Sequence, residues 1–341
     1  MKTRETKKQN RSSVILSEAT DGTNKVRLMG TARAEEEEAC PWEEIDDYSG
    51  RFVMAGYRYD DANNIDNYHP WLAYSTDGGK TWTRSETTTD EDQVHGQLQA
   101  LAYGGGRFVV AGYRYDDTDR YHPWLAYSAD GGKTWTPSET TTDEQQTHGQ
   151  LGALTYGGGR FVVAGYRYDE PDTTNRYQPW LAYSTDGGKT WTPSETTTDE
   201  EQVQGELHAL AYGDGRFVVA GWRTYPDIYH PWLAYSTDGG KTWTRSETTA
   251  KEEQPHGCLH ALAYGGGRFV VAGFRFDTDN SESENHHPWL AYSTDGGKTW
   301  TRSETTADPN QAHGRLYALT YAPDSYCWKF GKEEETEETT E

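Results

Sequence analysis

The chain has 341 residues, with 55 Asp and Glu against 32 Lys and Arg and a formal net charge of -23. Such a surface repels phosphate backbones and anionic bilayers, so neither nucleic acid nor membrane is expected as a partner. Hydrophobic residues make up only 33%, but 13 Trp and 24 Tyr supply large packing areas.

Residues 1–48 read as an arm, partly disordered, with a basic start and the acidic run Glu35 to Glu38. Val14-Ile15-Leu16 and Val26-Arg27-Leu28-Met29, separated by Asp21-Gly22, suit one hairpin. Arg11 to Ala32 has a short likeness to the opening of phage prohead proteases, with nothing catalytic behind it. No apolar h-region follows Met1 to Arg11, so the expected location is cytoplasmic, or outside the cell by release without a classical signal peptide. Cys40, Cys258 and Cys327 make no disulfide framework; a bridge between Cys40 and Cys327 stays open.

From Arg51 one unit repeats. Strand B is Arg51 to Tyr59 and returns at Arg107, Arg160, Arg216 and Arg268; apolar on both faces, it suits burial between sheets. Strand C is Pro70 to Ser75. The octapeptide Ser75-Thr76-Asp77-Gly78-Gly79-Lys80-Thr81-Trp82 follows, and returns from Ser128, Ser184, Ser236 and Ser293, spaced 52 to 57 residues apart. Asp-Gly-Gly supplies a side chain that bonds its own backbone and two residues tolerant of positive φ, which makes a hairpin turn. Strand D is Lys80 to Thr87. Strand A is Leu98 to Tyr103, repeated at Leu151, Leu207, Leu259 and Leu316, and Gly104-Gly105-Gly106 turns it into strand B. A period of this size means a repeat architecture, and four short antiparallel strands per unit make a propeller blade.

The pattern Ser-x-Asp-x-Gly-x-x-Trp, kept in all five copies, resembles the Asp-box, or BNR repeat, of sialidase-like β-propellers. The resemblance implies that the box is a structural turn away from the ligand face. It also implies, for a catalytic member, a carboxylate-gripping Arg triad, a Tyr nucleophile with a Glu partner and an Asp acid/base at unique positions. The family's Phe/Tyr-Arg-Ile-Pro motif is absent here, and each Arg and Tyr candidate is repeated.

The expected fold is therefore all-β, a five-bladed propeller over 49–321 with an acidic tail over 322–341. Strand A is missing before the first B-C-D set, and the last strand A, Leu316 to Tyr321, has no set after it. The C-terminal strand is expected to complete the first blade and close the ring; the acidic segment Trp42 to Tyr48 is a rival for that place.

Candidate ligand contacts lie toward the B-C and D-A loops, where the copies differ. One set pairs Arg58, Arg114, Arg167, Arg223 and Arg275, each after an aromatic in strand B, with Trp71, Trp124, Trp180, Trp232 and Trp289 of strand C. An Arg can grip a carboxylate and a Trp can stack on a sugar ring. His95, His148, His256 and His313, with Gln204 in their place in one unit, read as structural hydrogen-bonding residues, because Gln cannot replace a catalytic base. A second set breaks the symmetry of strand A: Gln97/Gln99, Gln150/Gly152, Glu206/His208, Cys258/His260 and Arg315/Tyr317. Gln99, His208, His260 and Tyr317 are the members expected to shape an asymmetric channel mouth.

No calcium-loop spacing, zinc-type cluster, P-loop or Gly-x-Ser-x-Gly elbow is present, so no metal and no cofactor are expected. Near-perfect symmetry argues against a catalytic constellation. The expectation is a monomeric, non-catalytic, lectin-like propeller that binds a glycan or a protein, with a structural module of a phage or cell-envelope assembly as the alternative and a sialidase-like glycosidase behind it.

Overall fold

The computed structural model describes residues 50–61, 64–87, 95–115, 120–140, 148–168, 177–196, 204–224, 229–248, 256–276, 286–304 and 314–322. These belong to one compact unit, Ser49–Ala322. The expectations for the N-terminal arm, the acidic tail, His313, Cys40, Cys327 and most of the variable loops fall outside the described residues.

The protein is a five-bladed β-propeller. Blade four shows the plan: Gly205–Gly213, Arg216–Thr224, Tyr229–Ser236 and Thr242–Arg245 pair antiparallel in chain order. Blades two, three and five begin at Gly96–Gly104, His148–Gly157 and Gly257–Gly265 and repeat it. Blade one consists of Phe52–Asp61, Asn64–Ser75 and Thr83–Arg84. One feature departs from the four-strand expectation. A two-residue strand leaves each of blades one to four and pairs parallel with strand D of the next, as Glu139–Thr140 does with Thr190–Pro193.

The turns follow from backbone chemistry. Gly187 and Gly188 of the third box take φ of 80° and 86°, a region open to Gly at no steric cost. The Asp186 carboxylate accepts from Ser184 Oγ at 2.8 Å, the Lys189 and Thr190 amides at 3.1 and 3.0 Å and Thr190 Oγ1 at 2.7 Å. Trp191 closes the turn, its indole donating to the Gly188 carbonyl at 3.2 Å. Burial pulls the Asp186 carboxyl upward, but these bonds outweigh it and hold it below the usual carboxylate range.

The core lies between blades. Val162, Ala164 and Leu181 of blade three pack with Leu207, Phe217, Val219, Trp232 and Trp243 of blade four. Three polar ties hold the outer edges of blades two and three together: Arg107 Nη1 donates to the Asp186 carbonyl at 2.7 Å, Ser138 Oγ to the Gly188 carbonyl at 2.5 Å and the Glu139 amide to the Lys189 carbonyl at 2.7 Å. Closest of all is an aromatic on bare backbone. A Cβ on Gly157 would stand 2.0 Å from Cγ of Tyr212, and Gly104 and Gly213 meet Tyr156 and Tyr264 in the same way.

The C-terminal strand repeats this contact. Gly265 meets Tyr321 as Gly213 meets Tyr264, and the Gly314 amide donates to the His286 carbonyl at 2.7 Å. Leu316 to Tyr321 thus occupies the strand-A place beside blade five. Among the described residues its ladder to Phe52–Asp61 is not formed, and Phe52 is 50% exposed where Phe161 is 0%.

Two outcomes test this frame. Deleting Leu316 onward bares the flank of blade five and should abolish the single sharp thermal transition; a truncated chain that melts as high and as sharply refutes the role of this strand. Asp186→Ala removes one box's anchor and should cost about 1 kcal/mol in denaturant unfolding, with the secondary-structure signal intact.

Candidate functional site

Each strand A with a ladder among the described residues carries one extra residue. The register slips between Leu98 and Ala100, Leu151 and Ala153, Leu207 and Ala209, and Leu259 and Ala261, so Gln99, Gly152, His208 and His260 are bulge residues. A bulge bends the strand and re-aims the side chain it carries. The cause is a glycine in strand B: a Cβ on Gly221 would lie 1.9 Å from the Glu206 carbonyl oxygen, and Gly112, Gly165 and Gly273 face the same approach. This was the available signal in the sequence, since a glycine inside a strand marks a bulge or a close backbone contact.

The bulge side chains meet around the channel. His208 and His260 have ring centroids 4.9 Å apart, and His260 and Tyr317 are 5.0 Å apart. A Cβ on Gly152 would touch only Gln99 Oε1, at 3.6 Å. The structure therefore sets His208, His260 and Tyr317 in succession and Gln99 beside the bare place at Gly152. Glu206 and Arg315, which the sequence marks only as variable, complete the set. Glu206 Oε2 lies 3.5 Å from His208 Nε2. The Arg315 guanidinium sits 4.6 Å over the Phe274 ring and bonds His286 Nε2 at 2.7 Å.

The distance between Glu206 and His208 suits an ion pair, but both shifts run against one. Burial pushes the Glu206 carboxyl up to about 7, against a bond from the Trp222 side chain that lowers it. Burial also pulls His208 down to about 4, helped by His260. His260 is lowered by burial and by the charge of Arg315. Desolvation thus wins over mutual attraction, because each side chain is largely enclosed by neighbouring blades. Between these values the proton rests on Glu206 and His208 is neutral. Burial raises the Cys258 thiol to about 12, so it is not a nucleophile near neutrality. Among the described residues no group of three or more His, Cys, Asp or Glu is placed to hold a metal.

The repeated set is placed differently. Arg58, Arg114, Arg167, Arg223 and Arg275 stand in ladder register with His69, His122, Gln178, His230 and His287. Trp124, Trp180, Trp232 and Trp289 are 4–7% exposed and belong to the inter-blade cores. Stacking a sugar on these four is corrected by that burial: each ring is packed among the Val, Leu and Ala side chains between two blades, as Trp180 is with Val109, Leu125 and Leu151. Only Trp71 among the five, 37% exposed on blade one, keeps a ring surface open. The ring pairs His69–His95, His122–His148 and His230–His256 stand 4.8–4.9 Å apart. The third unit carries Gln178 and Gln204 at the matching places, a paired exchange that suits hydrogen bonding and not catalysis.

The BNR repeat-like domain family matches residues 43–203 and again 171–327. The chain is similar to a sialidase of Bacteroides fragilis, 26% identical over 268 residues that make up 67% of this chain and 47% of that protein. A sialidase of Micromonospora viridifaciens is 24% identical over 315 residues, 75% of this chain and 46% of the other. The chain spans about half the length of the curated relatives it matches. Among solved structures, a Hadza microbial sialidase superposes with a TM-score of 0.50 at 17% identity, over 80% of this chain and 59% of that one. The expectation of a non-enzyme is corrected by this kinship, which points to glycoside hydrolases.

The titrations set a test. Glu206 is raised from its usual 4.5 to about 7, so the stability it contributes is complete below 4.5 and is lost as pH rises through about 7. His208 is lowered from 6.5 to about 4, so its contribution is complete above 6.5 and is lost as pH falls through about 4. Melting temperature followed against pH should show both limbs, and Glu206→Gln should flatten the upper one alone. An upper limb unchanged in the variant refutes the assignment.

Proposed function

Because the chain belongs to the BNR repeat-like domain family, we propose that it is a glycoside-cleaving propeller of the sialidase-like kind, working at the channel mouth. The observation that carries this reading is the pair of Glu206 and His208, protonated acid beside neutral imidazole at 3.5 Å. A departing glycosidic oxygen needs a proton, and an acid whose pKa lies near the working pH delivers it best.

In the proposed hydrolysis the glycosidic C–O bond breaks and Glu206 gives its proton to the departing oxygen. Water adds its hydroxyl to the anomeric carbon, and its proton returns to Glu206 by way of His208. Arg315, held by Phe274 and His286, supplies the positive charge for an anionic group of the sugar. Tyr317 stays open to solvent beside His260 and offers ring surface and a hydroxyl to the same sugar. The kinship to two sialidases supports a sialoside as the first substrate to try.

Hydrolysis of 4-methylumbelliferyl N-acetylneuraminide should fall as pH rises through the Glu206 value of about 7. Glu206→Gln should lower kcat/KM by about 100-fold or more with the secondary-structure signal intact. Equal activity of the variant and the wild-type chain overturns the reading.

A further inference from the structure

Of the five matching strand-A places, Gln99, Gly152, His208, His260 and Tyr317, one lacks a side chain, and its position is informative. His208, His260 and Tyr317 touch in succession, at 4.9 and 5.0 Å between ring centroids. The next place, on blade three, is Gly152. Nothing but the Gln99 amide oxygen comes within 4 Å of a Cβ built there, and that contact is an ordinary 3.6 Å. Four places carry large polar side chains and the fifth carries none, so the mouth is notched at blade three, with Gln99 along one wall.

The notch lies next to the Glu206 blade: Gly152 and His208 hold the same bulge place on blades three and four, and Glu206 Oε2 stands 3.5 Å from His208 Nε2. A proton donor must stand beside the oxygen that departs, and the open place next to this pair is the one at Gly152. We propose that the notch at Gly152, walled by Gln99, is the subsite for the departing sugar, whose hydroxyl donates to the Gln99 side-chain oxygen. This rests on the reading of the mouth as a hydrolytic site and goes beyond it by assigning specificity for the leaving group to a residue that the repeat has left without a side chain.

Gly152 suits a clean test. Its φ lies outside the left-handed region, so a side chain adds no backbone strain, and the space in front of it is open. Gly152→Gln gives this place the residue that blade two carries and fills the notch. Two substrates separate the outcomes: sialyllactose, whose leaving group is a sugar, and sialyl fluoride, whose leaving group is a single small ion. The variant should lose about tenfold or more in kcat/KM on sialyllactose and stay within about twofold on sialyl fluoride, with Gly152→Ala in between on the first substrate. Equal losses on both substrates, or no loss on sialyllactose, overturn the proposal. A second readout needs no turnover: saturation-transfer NMR should detect lactose on the wild-type chain and not on Gly152→Gln. Lactose bound equally by both, or by neither, overturns it too. If Glu206→Gln keeps full activity on sialyllactose while Gly152→Gln loses lactose, the hydrolytic reading fails and the notch stands as a sugar subsite.

Discussion

The structure depends on the contact of one aromatic ring with bare backbone. Tyr156, Tyr212, Tyr264 and Tyr321 each lie on a glycine of the preceding blade, so near that a Cβ would stand about 2 Å from the ring, as at Gly157 and Tyr212 with 2.0 Å. Any side chain at these glycines separates the blades. The approach brings successive sheets into the range where Val, Leu and Trp side chains exchange water for one another, and it fixes how far each blade is rotated from the last. The parallel two-residue strands and the Arg and Ser ties to the next box then hold the outer edges at that spacing. Inner contact and outer ties act on opposite ends of the blade, so little freedom remains for one blade to tilt on another.

The fixed spacing matters for the mouth. Bulge residues on neighbouring blades meet only because the blades stand at a constant separation, which places His208 and His260 at 4.9 Å and His260 and Tyr317 at 5.0 Å. The glycines of strand B take part as well. Gly112, Gly165, Gly221 and Gly273 admit the carbonyls that the bulges push outward. Glycine therefore acts twice in each unit, once for packing between blades and once for aiming the side chain at the channel. Repetition supplies a rigid frame, and four variable positions on it are enough to make an asymmetric site.

How much of this the sequence discloses depends on the length scale of each signal. The Asp-box turn is local: Ser184, Asp186, Gly187, Gly188 and Trp191 bond one another, so the octapeptide announces its own conformation. Strands B and C are long and rich in Val, Tyr and Phe, and they too are legible. Glu139–Thr140 is not, since two residues have no periodicity and their partner lies on the next blade. The bulges hide in Leu-x-Ala, which reads as plain alternation until Gly221 is set opposite Leu207. Trp180 illustrates the reverse error. An aromatic next to a variable loop invites a ligand reading, but the indole is 6% exposed and packs with Val109, Leu125 and Leu151 across the blade boundary.

The state of Glu206 is the least local property of all. Nothing in Gly205-Glu206-Leu207-His208 separates this carboxyl from other acids of a chain with 55 Asp and Glu. Its proton is held because burial withdraws the carboxyl from water, and this outweighs the bond from Trp222 that would favour the charged form. Within a symmetric frame, one acid two residues from a bulge is held above the usual carboxylate range. That difference comes from burial, not from residue type, and so chemistry can arise on a repeat without any change in the repeat's own fold.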